Sequence, residues 1–142
     1  MPMQLYTFWR SQAAFRVRIA LDLKGLDYER HSIDLLKGEQ FSEEYRKVNP
    51  ESVVPTLIDG DTKLAQSLAI LEYLEETYPD PAILPSGAAN RAHARALGQV
   101  MAMEAHTLMV PRIRKYLEME LGLDEDTRNK WLIHWSQTAS EA

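Results

Sequence analysis

The sequence predicts an α/β domain followed by a wholly helical region. Three observations carry this. Residues 3–78 alternate short strand-like runs with helical-period runs in the order β-α-β-α-β-β-α. Pro79, Pro81, Pro85 and Gly87 then cluster as a linker. Beyond them the apolar spacing is only helical. The domains expected are residues 1–80, a linker over 81–87 and a helical part over 88–142.

Met3 to Phe8 alternates as a short strand does. Ser11 then opens a helix carrying Phe15 and Ile19 on one side and Val17 and Leu21 beside it, with Gly25 as its stop. Leu26 to Ile33 alternates again. Lys37-Gly38 is a turn, Phe41 and Tyr45 form a short helical face, and Asn49-Pro50 ends it. Val53 to Ile58 reads as a strand whose Pro55 demands an edge or a bend. Asp59-Gly60-Asp61 is a hairpin turn, and Lys63-Leu64-Ala65 returns from it. Ser67 is expected to cap a helix with Leu68, Leu71 and Leu74 inward and Glu72, Glu75 and Glu76 outward. After the linker, Asn90 to Leu121 spaces Leu97, Met101, Leu108, Ile113 and Leu117 helically, with Pro111 as a break and Met101 and Met103 as core filler. Asp124 begins a last helix bearing Trp131 and Trp135 one turn apart.

Composition narrows the function. The chain has 142 residues and 45% apolar content, enough to fill a core. Its net charge of −5 argues against nucleic acid, which needs clustered Lys and Arg. No apolar stretch reaches membrane length, and Arg10 with Ser11-Gln12 interrupts any signal-peptide core, so a cytoplasmic protein is expected. The chain has no cysteine, which excludes a disulfide scaffold, a thiol nucleophile and a CxxC redox centre. His31, His93, His106 and His134 are too scattered for metal-ligand spacing, so no metal is expected.

Three places at element ends could carry chemistry. Ser11 sits where a strand hands over to a helix; its hydroxyl is either an N-cap or a donor to a ligand thiolate beside the positive helix end. Val54-Pro55 is either an ordinary trans bond or a cis bond exposing the Val54 backbone. Gln66-Ser67 either simply caps a helix or offers free N–H groups and a hydroxyl to a carboxylate.

Their order is specific. Phe8-Trp9-Arg10-Ser11, followed by Phe15-Arg16-Val17-Arg18-Ile19-Ala20-Leu21, resembles the zeta-class signature of the glutathione transferases, a Ser-rich turn leading into Arg-Val-Arg-Ile-Ala-Leu. Asn49-Pro50, Val54-Pro55-Thr56-Leu57 and the run from Gln66 to Glu76 are similar too, and the likeness covers about Met3 to Pro85. It implies a thioredoxin-like glutathione-binding domain followed by an all-α domain that is truncated here. It also implies a homodimer with glutathione as cofactor and a small-molecule substrate.

The class includes maleylacetoacetate and maleylpyruvate isomerases, so the implied activity is cis–trans isomerisation of an unsaturated diacid. A general transferase of small electrophiles, or a non-catalytic binding protein of the same family, is the alternative. In this resemblance Ser11 activates the glutathione thiol, and Arg10 binds a substrate carboxylate unless it is a solvated surface charge. Val54, on a cis Pro55, pairs with the cysteinyl unit; Gln66 and Ser67 hold the γ-glutamyl end, and Gln40 reaches the glycyl end. His106 matches a ligand-proximal position, or is a packed helix histidine. The chain departs from the family turn at Gln12-Ala13-Ala14, where a cysteine or hydroxyl usually follows, and at Met109-Val110, where asparagine is common.

Overall fold

The computed structural model describes residues 2–141, the Ala105 side chain excepted. The chain folds as two compact units, with the boundary between Pro85 and Ser86.

The first unit is built on a four-stranded sheet in the order β2-β1-β3-β4, with β1 at Met3–Thr7, β2 at Tyr28–Ser32, β3 at Thr56–Asp59 and β4 at Thr62–Ala65. β1 pairs parallel with β2 and antiparallel with β3, and β3 and β4 form the expected hairpin. Helices α1 (Gln12–Leu23) and α3 (Ser67–Thr77) belong to one core, in which Val17, Ala20, Leu21, Ile70 and Leu74 pack with Met3, Leu5 and Leu57. Helix α2 (Glu43–Val48) belongs to a second, where Tyr45 packs with Phe8 and Val54 and Tyr6 flanks them. The period-2 pattern of β1 therefore sends Met3 and Leu5 to one core and Tyr6 to the other.

Helix α1 stops as its sequence implies. Gly25 takes φ +63°, while Leu26 N–H bonds Leu21 C=O and Gly25 N–H bonds Asp22 C=O, a Schellman ending sealed by Leu26 against the core that holds Leu21.

Several expectations shift. β3 starts at Thr56, because Val53 to Pro55 lies outside the ladder. On α3 the buried residues are Ser67, Ile70, Leu74 and Glu75; Leu68 and Leu71 are half-buried. Glu75 is inward, only 6% exposed, because Lys24 meets it at 3.0 Å. Lys24 Nζ also donates to the Tyr78 and Pro81 carbonyls, and the Ile83 and Leu84 N–H groups donate to Glu75. One buried ion pair thus ties the ends of α1 and α3 to residues 78–84. The Val54-Pro55 and Asp80-Pro81 bonds are both cis.

The second unit is helical. Helix α4 (Ala88–Gln99) runs through a π-helical stretch (Val100–His106) into α5 (Thr107–Met109). Val110 is extended, and Pro111 opens α6 (Pro111–Met119), where its missing N–H costs nothing. Helix α7 (Glu125–Glu141) follows. Trp131 donates its indole N–H to the Leu108 carbonyl and stacks edge-on against Trp135 at 5.8 Å. Met101 and Met103 are exposed rather than core filler. No helix among the described residues is long and apolar enough to cross a membrane.

Candidate functional site

Register alone gathers four loops at one end of the sheet. Tyr6 pairs with Thr56, and Thr56 pairs with Ala65. The turn leaving β1, the Val54-Pro55 segment entering β3 and the Gln66-Ser67 step leaving β4 therefore lie at the same end. Thr7 pairs with Ser32, and Ile33 N–H bonds Thr7 C=O, so the loop holding Gln40 leaves there too.

Ser11 is the N-cap of α1. Its Oγ accepts the Ala14 N–H at 3.2 Å, and its own N–H bonds the Phe8 carbonyl. Capping spends a lone pair and leaves the hydroxyl proton available, so the cap and donor readings are compatible. Arg18 straps this turn: Nη1 donates to Thr7 Oγ1 and Phe8 C=O, and Nη2 to Trp9 C=O. Arg10 is exposed, its guanidinium 5.5 Å from the centre of the exposed Trp9 ring.

Val54 is presented by a buried polar network. Tyr45 Oη donates to Val53 C=O at 2.6 Å and lies 3.0 Å from Thr56 Oγ1. The Asn49 side-chain amide donates to the same two acceptors. Burial pushes the Tyr45 phenol above its ordinary pKa of 10.0, which keeps it neutral and donating. Among the described residues neither the N–H nor the C=O of Val54 takes a hydrogen-bond partner. A backbone step with both groups free suits pairing with the main chain of a bound peptide.

At α3 the capping position belongs to Gln66, not Ser67. Gln66 adopts φ +68°, a left-handed conformation that costs a non-glycine residue about 1–3 kcal/mol. Its side chain makes no cap, and Nε2 instead donates to Glu51 at 2.6 Å. Ser67 is buried, and its Oγ accepts from Arg16. The first N–H groups of α3 are left without a side-chain cap, at the positive end of the helix.

Gln40 closes the set within a 3₁₀ turn (Glu39–Phe41); its Oε1 is shielded from solvent without a hydrogen-bond partner. The fold thus brings Arg10, Ser11, Gln40, Val54, Pro55, Gln66 and Ser67 to one end of one unit. His106 stands in the second unit, half-buried on the π-helical stretch. Sequence reasoning gave no role to Arg16, Arg18, Tyr45 or Asn49. For Arg16 a signal existed: buried Ala20 lies four residues on, which puts Arg16 on the inward flank of α1. Among the described residues no group of three or more His, Cys, Asp or Glu could hold a metal ion.

Known proteins share this arrangement. Residues 1–76 match the family model of the glutathione S-transferase N-terminal domain. A probable maleylacetoacetate isomerase of Vibrio cholerae is 44% identical over 95% of this chain, and the maleylpyruvate isomerase of a Ralstonia species 41% over 99%. The chain spans 64% and 66% of the lengths of these two relatives. Among solved structures, a maleylacetoacetate isomerase of Methylobacterium extorquens with bound malonate and glutathione superposes with a TM-score of 0.92. That protein is 46% identical, over 96% of this chain and 64% of its own. The holo form of a zeta-class bacterial maleylpyruvate isomerase gives the same TM-score at 41% identity, with the same coverage of both chains. With the family model covering more than half of its residues, and the turns of the sheet end laid out as described, the chain belongs to the glutathione S-transferase family.

Proposed function

We propose that this chain binds glutathione across the open end of its sheet, and that the whole protein isomerises the cis double bond of an unsaturated diacid. The observation that carries the first part is the convergence of three complementary groups at one end of one sheet. These are a helix-capping hydroxyl, an unpaired backbone at Val54, and an uncapped helix start beside the half-buried Arg16. Glutathione is a tripeptide with a thiol, two amide links and a carboxylate at each end. The residues present fit it: Val54 for the cysteinyl backbone, the start of α3 for a carboxylate, and the unpartnered Gln40 Oε1 for an N–H near the glycyl end. The second part rests on relatives 41–44% identical, four of them named as maleylacetoacetate or maleylpyruvate isomerases, one of these as probable.

When bound, glutathione supplies a thiolate that adds to an activated double bond and leaves it again unchanged. The chain's residues set the conditions. A free thiol has a pKa of about 8.5, so little is ionised at neutral pH. Ser11 Oγ–H donates to the sulfur, and the positive end of α1 favours its charge. Gln66 and Ser67 hold the γ-glutamyl end. Arg10, braced against Trp9, binds a carboxylate of the diacid. We place the protein in the cytoplasm as a homodimer.

The test is to follow a cis-diacid substrate by proton NMR with the chain, with and without glutathione. The reading expects cis-to-trans conversion that stops when glutathione is omitted. Conjugation of an aryl halide with no isomerisation would instead favour a general transferase.

A further inference from the structure

Tyr45, Asn49 and Thr56 are buried side chains that close a polar ring on the Val53 carbonyl. The protons of that ring have one arrangement. Val53 C=O can only accept, and it takes the Tyr45 hydroxyl at 2.6 Å and the Asn49 amide at 2.9 Å. The phenol has then spent its single proton, so across the 3.0 Å contact Thr56 Oγ–H donates to Tyr45 Oη. Thr56 Oγ1 accepts the second Asn49 proton at 3.0 Å, and Asn49 Oδ1 accepts the Glu51 N–H, which fixes the orientation of the amide. Every donor of the three side chains is used, and the two that reach the main chain converge on one oxygen.

That oxygen sets a direction. Val53–Val54 is a trans peptide, so its C=O and N–H point opposite ways. Two donors holding the Val53 carbonyl into the buried ring therefore turn the Val54 N–H away from it. That N–H has no partner among the described residues, and Val54 is only 7% exposed. A main-chain donor withdrawn from water and left unpaired is costly, and a ligand acceptor would relieve that cost.

We propose that Tyr45 is a positioning residue for ligand binding: by holding the Val53 carbonyl inward, it aims the Val54 N–H at a main-chain carbonyl of the bound peptide. This rests on the glutathione reading, in which that carbonyl belongs to the cysteinyl unit. Tyr45 does not touch the ligand; it acts through the Val53–Val54 peptide plane.

The test uses the full chain and two ligands. One is glutathione; the other is an analogue whose cysteinyl–glycine amide is a trans alkene, which keeps the shape but has neither the carbonyl nor the N–H. Calorimetry gives the preference for glutathione. The residual dipolar coupling of the Val54 N–H gives its direction and order without any ligand. Wild type should prefer glutathione by about 5–100-fold, because the alkene loses two hydrogen bonds, to Val54 and to Gln40, at about 2–10-fold each. Tyr45→Phe removes one oxygen atom. It should cut that preference by about 2–5-fold, the Gln40 share cancelling in the comparison, and average the Val54 coupling toward zero. Thr56→Val disturbs the same ring but leaves both bonds to Val53, so it should lose stability and keep both the preference and the coupling. No preference in wild type overturns the proposal. A preference unchanged in Tyr45→Phe, or cut equally by both variants, makes Tyr45 merely structural and overturns it too. If Tyr45→Phe does not fold, wild type decides: a coupling that fits a direction opposite the Val53 carbonyl supports the proposal, and one averaged toward zero overturns it. If wild type binds neither ligand, the glutathione reading falls and the coupling alone judges Tyr45. An N–H ordered in wild type and averaged in Tyr45→Phe keeps its positioning role; one unchanged between them overturns it.

Discussion

The proposed function gives Ser11, the N-cap of α1, a second job as donor to the thiolate, and a single substitution separates the two. Removing a preorganised donor to a developing anion costs about 10²–10³ in rate, whereas losing an N-cap costs about 1 kcal/mol. Ser11→Ala should therefore lose turnover by about that factor while remaining folded, with glutathione affinity little changed, because the proposed reading leaves Val54, Gln66 and Ser67 to hold the peptide. Thiolate absorbance should show the bound thiol titrating higher in the variant. Unchanged turnover and thiol titration would reduce Ser11 to a cap. Tyr78 gives a second residue-scale outcome. Its Oη donates to Asp59 at 2.6 Å, and that bond, with burial and the carboxylate's charge, pushes its pKa up to about 12 from 10.0. The neutral phenol is the form that folding favours. Its contribution is complete below pH 10 and is lost as pH rises toward 12. Tyr78→Phe should flatten the alkaline limb of the stability profile, and an unaltered limb would contradict this. At this scale the sequence was legible where a residue's place in an element defines it, as for Ser11 and Gly25. It was misleading where a partner far along the chain decides: Glu75 looks outward by helical period and is inward because of Lys24.

Among the elements, α1 and α3 depend on polar ties as well as apolar packing. Lys24 and Glu75 join their C-terminal ends, and Arg16 and Ser67 join α1 to the start of α3. Burial raises the Glu75 pKa, but the Ile83 N–H, the Lys24 ammonium and the Leu84 N–H outweigh it, and the net shift is downward. The folded state thus prefers the carboxylate. That stability is present above the ordinary glutamate range and is lost as pH falls through the lowered value. Removing one member of a buried pair strands the other, at about 3–5 kcal/mol. Lys24→Met should lower the unfolding free energy of the first unit, read by denaturant titration, by that amount and weaken the acid dependence; a change below about 1 kcal/mol, the worth of a surface pair, would show the pair to be solvated. Strand and helix types were readable because Met3 to Thr7 alternates and α1 and α3 repeat apolar residues at helical spacing. Which residues of α3 face inward was not, since Ile70 and Leu74 compete with an equally apolar Leu68 and Leu71. The π-helical stretch of residues 100–106 was also hidden, because one inserted residue per turn leaves no compositional mark.

For the molecule as a whole, the central claim is that sheet register makes a peptide-binding end: β1 ends, β3 starts and β4 ends together, and their loops deliver Ser11, Val54 and Ser67. That convergence was legible only as an order of motifs along the chain. The supporting polar network of Tyr45, Asn49 and Thr56 was not, because its members are linked through space to Val53 rather than by any period. The most direct test is an amide chemical-shift titration of the isotope-labelled full chain with glutathione. The account predicts saturable shifts grouped at Ser11–Gln12, at Val54 and at Ser67–Leu68, with the Gln40 side-chain amide moving in step. Shifts confined to residues 86–141, or none at millimolar glutathione, would contradict it.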